Sequence, residues 1–173
     1  RELVETGYLH NHARMWFASI WIFTLRLPWT LGADFFLRHL IDADAASNTL
    51  SWRWVAGLQT AGKTYLATAD NIARYTGGRF APKGLAEIAE PLTEAPVPAA
   101  APLPAAGSAR GAPALLLITS EDMHPDDAVL REVDICGTCI AADPALLWGE
   151  KARGFVADAA HDMAASLGET GRA

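Results

Sequence analysis

Apolar positions run almost without interruption from Met15 to Leu25, so the stretch from Gly7 to about Leu25 reads as one long helix with Thr6 as its N-cap. A helix apolar nearly all round its cylinder belongs at the centre of a domain. Pro28 stops it. Gly32-Ala33-Asp34 then opens a second helix through Phe35, Phe36, Leu37 and Leu40 to about Ile41. The small and polar run from Asp42 to Thr49 predicts a loop, followed by short helices over Trp52–Leu58 and Thr68–Tyr75, with Gly77-Gly78 as a stop. No alternating strand pattern occurs before Pro82.

From residue 84 the pattern changes. Pro91, Pro96, Pro98, Pro102 and Pro104 sit among alanines and are followed by Gly107-Ser108 and Gly111, which is the composition of a stiff, extended linker. Ala114–Thr119 then reads as a fully buried strand, Val133–Ala141 as a second strand, and Gly149–Leu167 as a helix with apolar residues at Ala152, Phe155, Val156, Ala159, Met163 and Leu167. Strand, crossover, strand and helix predict part of a parallel α/β layer. The expected organisation is therefore a mainly α-helical portion over 1–83, a Pro/Ala-rich linker over 84–112 and a small α/β segment over 113–173. Some sixty residues with two strands make a marginal core, so the last segment is expected to dock or to continue in a fuller protein.

Charge sharpens this division. Residues 1–83 carry 9 Lys/Arg against 6 Asp/Glu, residues 84–173 carry 5 against 14, and five of the six Trp lie in the first part. A basic, Trp-rich unit joined to an acidic one makes nucleic acid a plausible partner for the first alone. The cysteines, Cys136 and Cys139, form no disulfide framework, which predicts a reducing compartment with cytoplasm as the default. The Met15–Leu25 run falls well short of the roughly 20 residues that span a bilayer, so no membrane partner is expected. The chain opens in mid-pattern without an initiator Met, and is expected to be part of a longer protein.

Candidate chemistry concentrates on the first helix. Asn11, Arg14 and Met15 share one face at i, i+3 and i+4 spacing. A buried Arg needs an acceptor, and Asp42 and Asp44 are the nearest group of carboxylates, so an Arg14–Asp42 bridge is expected. Spacing alone leaves two readings open, an internal ion pair with helix caps or one wall of a binding site.

Cys136-Gly137-Thr138-Cys139 is a lone C-x-x-C, read as two ordinary buried or half-buried thiols. His10 and His12 face differently on a helix, and His124 and His161 are expected at the surface, so no metal site is predicted. No P-loop, G-x-S-x-G or G-x-G-x-x-G motif occurs.

Two segments carry a resemblance. Thr6-Gly7-Tyr8-Leu9-His10-Asn11-His12-Ala13-Arg14-Met15 resembles the photolyase/cryptochrome signature T-G-[aromatic]-[Met/Leu]-H-N-R-x-R-M. Asp42-Ala43-Asp44-Ala45-Ala46-Ser47-Asn48 followed by Trp52-Arg53-Trp54 is similar to that family's D-G-D-x-A-x-N…W-x-W segment. The resemblance extends over residues 6–80 and implies the C-terminal part of a helical FAD-binding domain. By resemblance, Asn11, Arg14, Asp42, Asp44 and Asn48 contact or orient FAD, with Asn48 beside the reactive ring nitrogen. Trp52 and Trp29 match the inner members of a tryptophan chain that reduces photoexcited flavin; as large aromatics in an apolar bundle they are equally candidates for core packing. Asn11, His12, Met15 and Trp54 match the cavity that receives a pyrimidine dimer flipped out of UV-damaged DNA.

The implied activity is light-driven, flavin-dependent DNA repair, a photo-lyase reaction. A cryptochrome-like blue-light photoreceptor that binds FAD without repair, and a flavin-less structural remnant, are the alternatives. His12 stands where many repair enzymes have Arg, and Ala43 stands where the family has Gly. The family's upstream phosphate-cradling residues and its antenna domain have no counterpart within these 173 residues.

Overall fold

The computed structural model describes residues 1–42, 44–96, 98–105, 107, 112–120, 122–123, 130, 133–141 and 149–169, the last few of these as backbone only. Two expectations, the exchange at Ala43 and the surface placement of His124, lie outside the described residues. The chain forms two compact units, Arg1–Val97 with Leu147–Ala152, and Pro98–Leu146 with Arg153–Ala173.

In the first unit the expected long helix is divided. A short α1, Glu2–Thr6, ends at Gly7, which adopts the left-handed conformation (φ 75°) with its N–H on Leu3 O. Thr6 is thus the last residue of α1 and not an N-cap: its hydroxyl donates back to Glu2 O at 2.8 Å and accepts from Tyr8 N. The signal that decides this is the glycine, since a left-handed C-cap closes the preceding turn at little steric cost. The cap of the next helix, α2 (Asn11–Ser19), is His10, whose Nδ1 accepts from the His12 N–H at 3.2 Å.

From Ile20 to Thr24 the helix widens into a π-helical turn, closed by Leu25 N–H on Ile20 O at 2.9 Å. Arg26 then takes a positive φ of 56°, and Pro28 precedes α3 (Trp29–His39). This helix begins earlier than Gly32 because proline, with its fixed φ and missing N–H, sits comfortably at a helix entrance.

The predicted polar loop after Asp42 is largely helical. Asp44 caps α4 (Ala45–Ala56) by accepting from the Ser47 N–H, so the Ala45-Ala46-Ser47-Asn48 run forms its first turns. Gly57, left-handed at φ 78°, ends it. Thr68 caps α5 (Ala69–Tyr75) through the Asn71 N–H. Leu3, Ala18, Ile22, Phe23, Ala33, Phe36, Leu40, Trp52, Val55 and Ala56 form the core of this unit.

Chain expected to serve as linker continues the first unit. Residues 85–94 form no helix or strand, yet Ala86 N–H donates to Thr24 Oγ1 (3.0 Å) and Leu92 N–H to Ala56 O (3.0 Å), while Ala86 and Ala89 pack on the core. Proline-rich composition specifies extended backbone, and extended backbone serves as well for a packed strap as for a spacer.

In the second unit β1 (Ala114–Thr119) and β2 (Ile135–Ala141) pair in parallel, with Leu116 opposite Thr138 and an irregularity between Ala114 and Leu115. β1 is not fully buried: Ile118 is enclosed, whereas Leu115 and Leu117 are exposed. An unbroken apolar run conceals such alternation, because neither face announces itself by polarity. Cys136 and Cys139 are likewise free and exposed rather than buried. The last helix, α6, spans Glu150–Glu169, with His161 exposed as expected.

Candidate flavin site

One cleft of about 570 Å³ lies among α2, α3 and α4 and the turn that joins the last two. Its lining includes Asn11, Arg14, Met15, Asp42, Asp44, Asn48, Trp52 and Trp54. Eight of the ten residues singled out from the sequence are therefore brought to one place. Arg14 is fixed from two sides: its Nε donates to Leu9 O at 2.8 Å and its Nη1 to Asp42 Oδ2 at 3.1 Å. The expected bridge is present, and it ties the α3–α4 turn to the start of α2.

Asn48, half-buried one turn into α4, donates from Nδ2 to Ala33 O at 2.7 Å. That bond sets the orientation of the amide, leaving Oδ1 as its acceptor group. Asp44 spends Oδ1 on the cap of α4. Asn11, exposed, lies within 3.9 Å of Met15 Sδ.

Trp52 forms the floor. Its ring is 2% exposed and meets Phe36, Phe17 and Trp21 edge to face, at centroid distances of 5.1, 6.2 and 6.4 Å. Gly32 makes this position possible, because a Cβ there would come within 2.2 Å of the indole. The Trp52 Nε1 is buried and has no hydrogen-bond partner among the described residues. Buried donors are nearly always satisfied, so this indole N–H is an exception within the core of the unit. Trp54, half-buried, stacks on Tyr65 at 5.7 Å.

Two residues fall elsewhere. His12 does not line the cleft; it stacks between Tyr75 (4.9 Å) and His10 (5.5 Å). Trp29, at the start of α3, points its Nε1 to Glu94 Oε1 at 2.8 Å, while Arg53 places its guanidinium 5.8 Å from the Trp29 ring and pairs with Glu94 Oε2. Glu94 was invisible in the sequence because it lies in the proline-rich stretch, 41 residues from Arg53.

The Arg53 hydrogen bond, joined by that of Trp29, holds the Glu94 carboxyl below the ordinary carboxylate range. A carboxyl depressed on folding adds stability above its unfolded pKa and loses that contribution as pH falls through the folded value. Acid titration of Trp29 fluorescence is expected to show a transition below the normal Glu range that disappears in Glu94→Gln. A transition unchanged in that variant would assign it to another group.

Convergent amides, two carboxylates and an oriented Arg over an apolar aromatic floor define a small-molecule site of the kind that takes a planar ring with polar edges. The donors and acceptors present suit a flavin: Arg14 and the Asn11 amide offer donors, while Asp42, Asp44 and Asn48 offer acceptors.

Residues 1–84 match the family described as the FAD binding domain of DNA photolyase. A deoxyribodipyrimidine photo-lyase of Streptomyces griseus is 48% identical over 60 residues, which cover 35% of this chain and 13% of that protein. A deoxyribodipyrimidine photo-lyase of Vibrio cholerae and Cryptochrome-1 of Arabidopsis thaliana are each 34% identical over 84 residues, covering 49% of this chain and 18% and 12% of those proteins. Over residues 1–84, just under half of its length, the chain is thus similar to the photolyase/cryptochrome family. It spans less than a fifth of the length of these relatives. No solved structure matches the chain significantly. Among the described residues no helix is long and apolar enough to cross a membrane, and no group of three or more His, Cys, Asp or Glu is placed to hold a metal.

Proposed function

We propose that this chain supplies one wall of the FAD site of a light-driven DNA-repair protein, with UV-damaged DNA as substrate. The observation that carries the reading is the convergence of Asn11, Arg14, Asp42, Asp44, Asn48, Trp52 and Trp54 on one cleft. Bound FAD supplies one-electron chemistry under light. The chain's own residues set the surroundings. Arg14, locked by Leu9 O and Asp42, keeps a fixed positive charge beside the cleft, and the second oxygens of Asp42 and Asp44 accept from ligand hydroxyl or N–H groups. Asn48, oriented by Ala33 O, presents an amide able to follow a change in the protonation of its neighbour. Trp52, closed off from water in the lining of the cleft, would be the first electron donor to a flavin held there, with Trp29 as a further donor. Met15, Asn11 and Trp54 form the side on which a flipped base is received.

The test is an absorbance titration of the purified 173-residue chain with FAD, followed by illumination with blue light in the presence of a reductant. Flavin bands that appear with the protein, bleach in light, and fail to bleach in Trp52→Phe support the reading. A chain that takes up no flavin sinks it. Asn48→Ala, which removes both amide functions and frees Ala33 O, is expected to weaken FAD binding by roughly tenfold, the cost of a net hydrogen bond or two.

One observation favours a second reading, that of a photoreceptor without repair. His12 stands at a position expected to line the substrate cavity and instead stacks with Tyr75. Binding titrations with strands that do and do not contain a pyrimidine dimer separate the two: a strong preference for the lesion marks the repair protein, equal binding the photoreceptor.

A further inference from the structure

The strap residue Glu94 touches Trp29 at the one atom whose acidity changes when an indole is oxidised. Trp29 Nε1 donates to Glu94 Oε1 at 2.8 Å, and the other oxygen, Oε2, is occupied by Arg53. The two oxygens thus have separate partners. The strap is anchored two residues earlier by the Leu92 N–H to Ala56 O bond, and the carboxylate itself is paired with Arg53, so it is positioned rather than free to wander.

We propose that Glu94 is the proton acceptor for Trp29, so that loss of an electron from Trp29 is accompanied by transfer of its Nε1 proton to Glu94 Oε1. Trp29 gives one electron to a one-electron oxidant, its N–H bond breaks and an O–H bond forms on Glu94. The products are a neutral indolyl radical, a carboxylic acid and the reduced oxidant. In the protein the oxidant is the photoexcited flavin of the proposed site, or an oxidised Trp52 that has served it. The proposal rests on the reading of Trp29 as a redox-active residue.

The arrangement has a physical logic. An indole N–H is a very weak acid, while its one-electron-oxidised form is a far stronger one, so a carboxylate already hydrogen-bonded to it accepts the proton without any rearrangement of water. Arg53 has two effects. It keeps Glu94 ionised before the event, and its charge, 5.8 Å from the ring, disfavours a lingering positive charge on the indole. The second favours the neutral radical, while the first readies the acceptor but also makes it a weaker base. Once the proton has moved, the electron cannot return to Trp29 until the proton does, which prolongs charge separation.

The experiment uses the full chain and an added oxidant, a flash-generated ruthenium(III) polypyridyl complex, and needs no flavin. The cationic and neutral indolyl radicals have distinct visible absorption, and the difference between wild type and Trp29→Phe isolates the Trp29 contribution. In the wild type the Trp29 component is expected to reach the neutral form at a rate independent of buffer-base concentration. In Glu94→Gln, whose amide still accepts a hydrogen bond but takes no proton at neutral pH, deprotonation is expected to slow by about 100-fold or more and to become proportional to buffer base, as befits loss of a positioned proton acceptor.

A wild-type rate that already rises with buffer base, or an unchanged rate in Glu94→Gln, overturns the proposal. The wild-type buffer dependence does so without recourse to any variant that fails to fold. Failure of the underlying reading looks different: flavin photoreduction indifferent to Trp29→Phe removes Trp29 from the flavin's electron path while leaving the flash result as it stands.

Discussion

Gly32→Ala is expected to destabilise the first unit by about 2–3 kcal/mol, the cost of forcing one carbon into a packed core. The added Cβ would lie 2.2, 2.5 and 2.9 Å from three carbons of the Trp52 indole. That ring has little room to retreat, being 2% exposed and wedged against Phe36, Phe17 and Trp21. The clashing atoms belong to the six-membered part of the indole that a phenylalanine in its place does not reach. Thermal or denaturant unfolding of Gly32→Ala, Trp52→Phe and the double variant forms a cycle: the alanine is expected to cost much less in the Trp52→Phe background, with a coupling on the order of 1–2 kcal/mol. Additive effects would mean that the indole moves aside freely. Flavin photoreduction in Gly32→Ala should fall with the displacement of Trp52 even where the fold survives.

Arg14→Gln is expected to have the largest effect on FAD uptake. The guanidinium holds two acceptors, Leu9 O on the loop before α2 and Asp42 in the turn before α4, and its side chain is only 28% exposed. Hydrogen bonds involving a charged group contribute roughly 1.5–3 kcal/mol, so loss of the link should weaken FAD by about tenfold to a hundredfold. Asp42→Asn should give a smaller loss of the same sign, because an amide oxygen still accepts from Arg14. The control is Arg38–Asp34, an exposed pair one turn apart on α3 and away from the cleft. Asp34→Asn is expected to change stability by less than about 0.5 kcal/mol and FAD affinity not at all. Equal losses at Asp34 and Arg14 would show that the effect is general destabilisation rather than a property of the cleft.

The Arg14–Asp42 bridge is legible in the amino-acid sequence, because polar residues at helical spacing on an apolar helix demand partners and the acidic turn downstream supplies them. Asn48 is marked by the motif in which it stands, and so is Trp52. The β1 and α6 segments are similarly visible, as is the parallel pairing of two strands separated by a crossover. Local signals of this kind act over a few residues: a left-handed glycine, a capping carboxylate, an apolar period.

Where the sequence misled, a local signal had two meanings. Thr6 suits the first position of a helix and also the last turn of one, and the left-handed Gly7 after it decided in favour of the latter. The Asp42–Thr49 run looked like a loop because alanine, serine and asparagine are small or polar; Asp44, by capping Ser47, turned those residues into the start of α4 and placed Asn48 a turn inside it. The proline-rich stretch looked like a spacer, although Ala86 and Ala89 pack on the core and Ala86 and Leu92 bond to Thr24 and Ala56.

By itself, the sequence determined that the first unit is built of helices, which residues are polar on an apolar helix and which two motifs stand in order along the chain. Only the tertiary structure decided that Gly32 and Trp52 fit together, that His12 turns to Tyr75 and away from the cleft, and that Glu94 reaches Trp29 and Arg53. The reason is physical. Helix caps and periodicity are set by energies local in sequence, whereas a packed indole or a carboxylate on an indole N–H depends on groups twenty to sixty-five residues apart, whose meeting is fixed by how the core fills its volume.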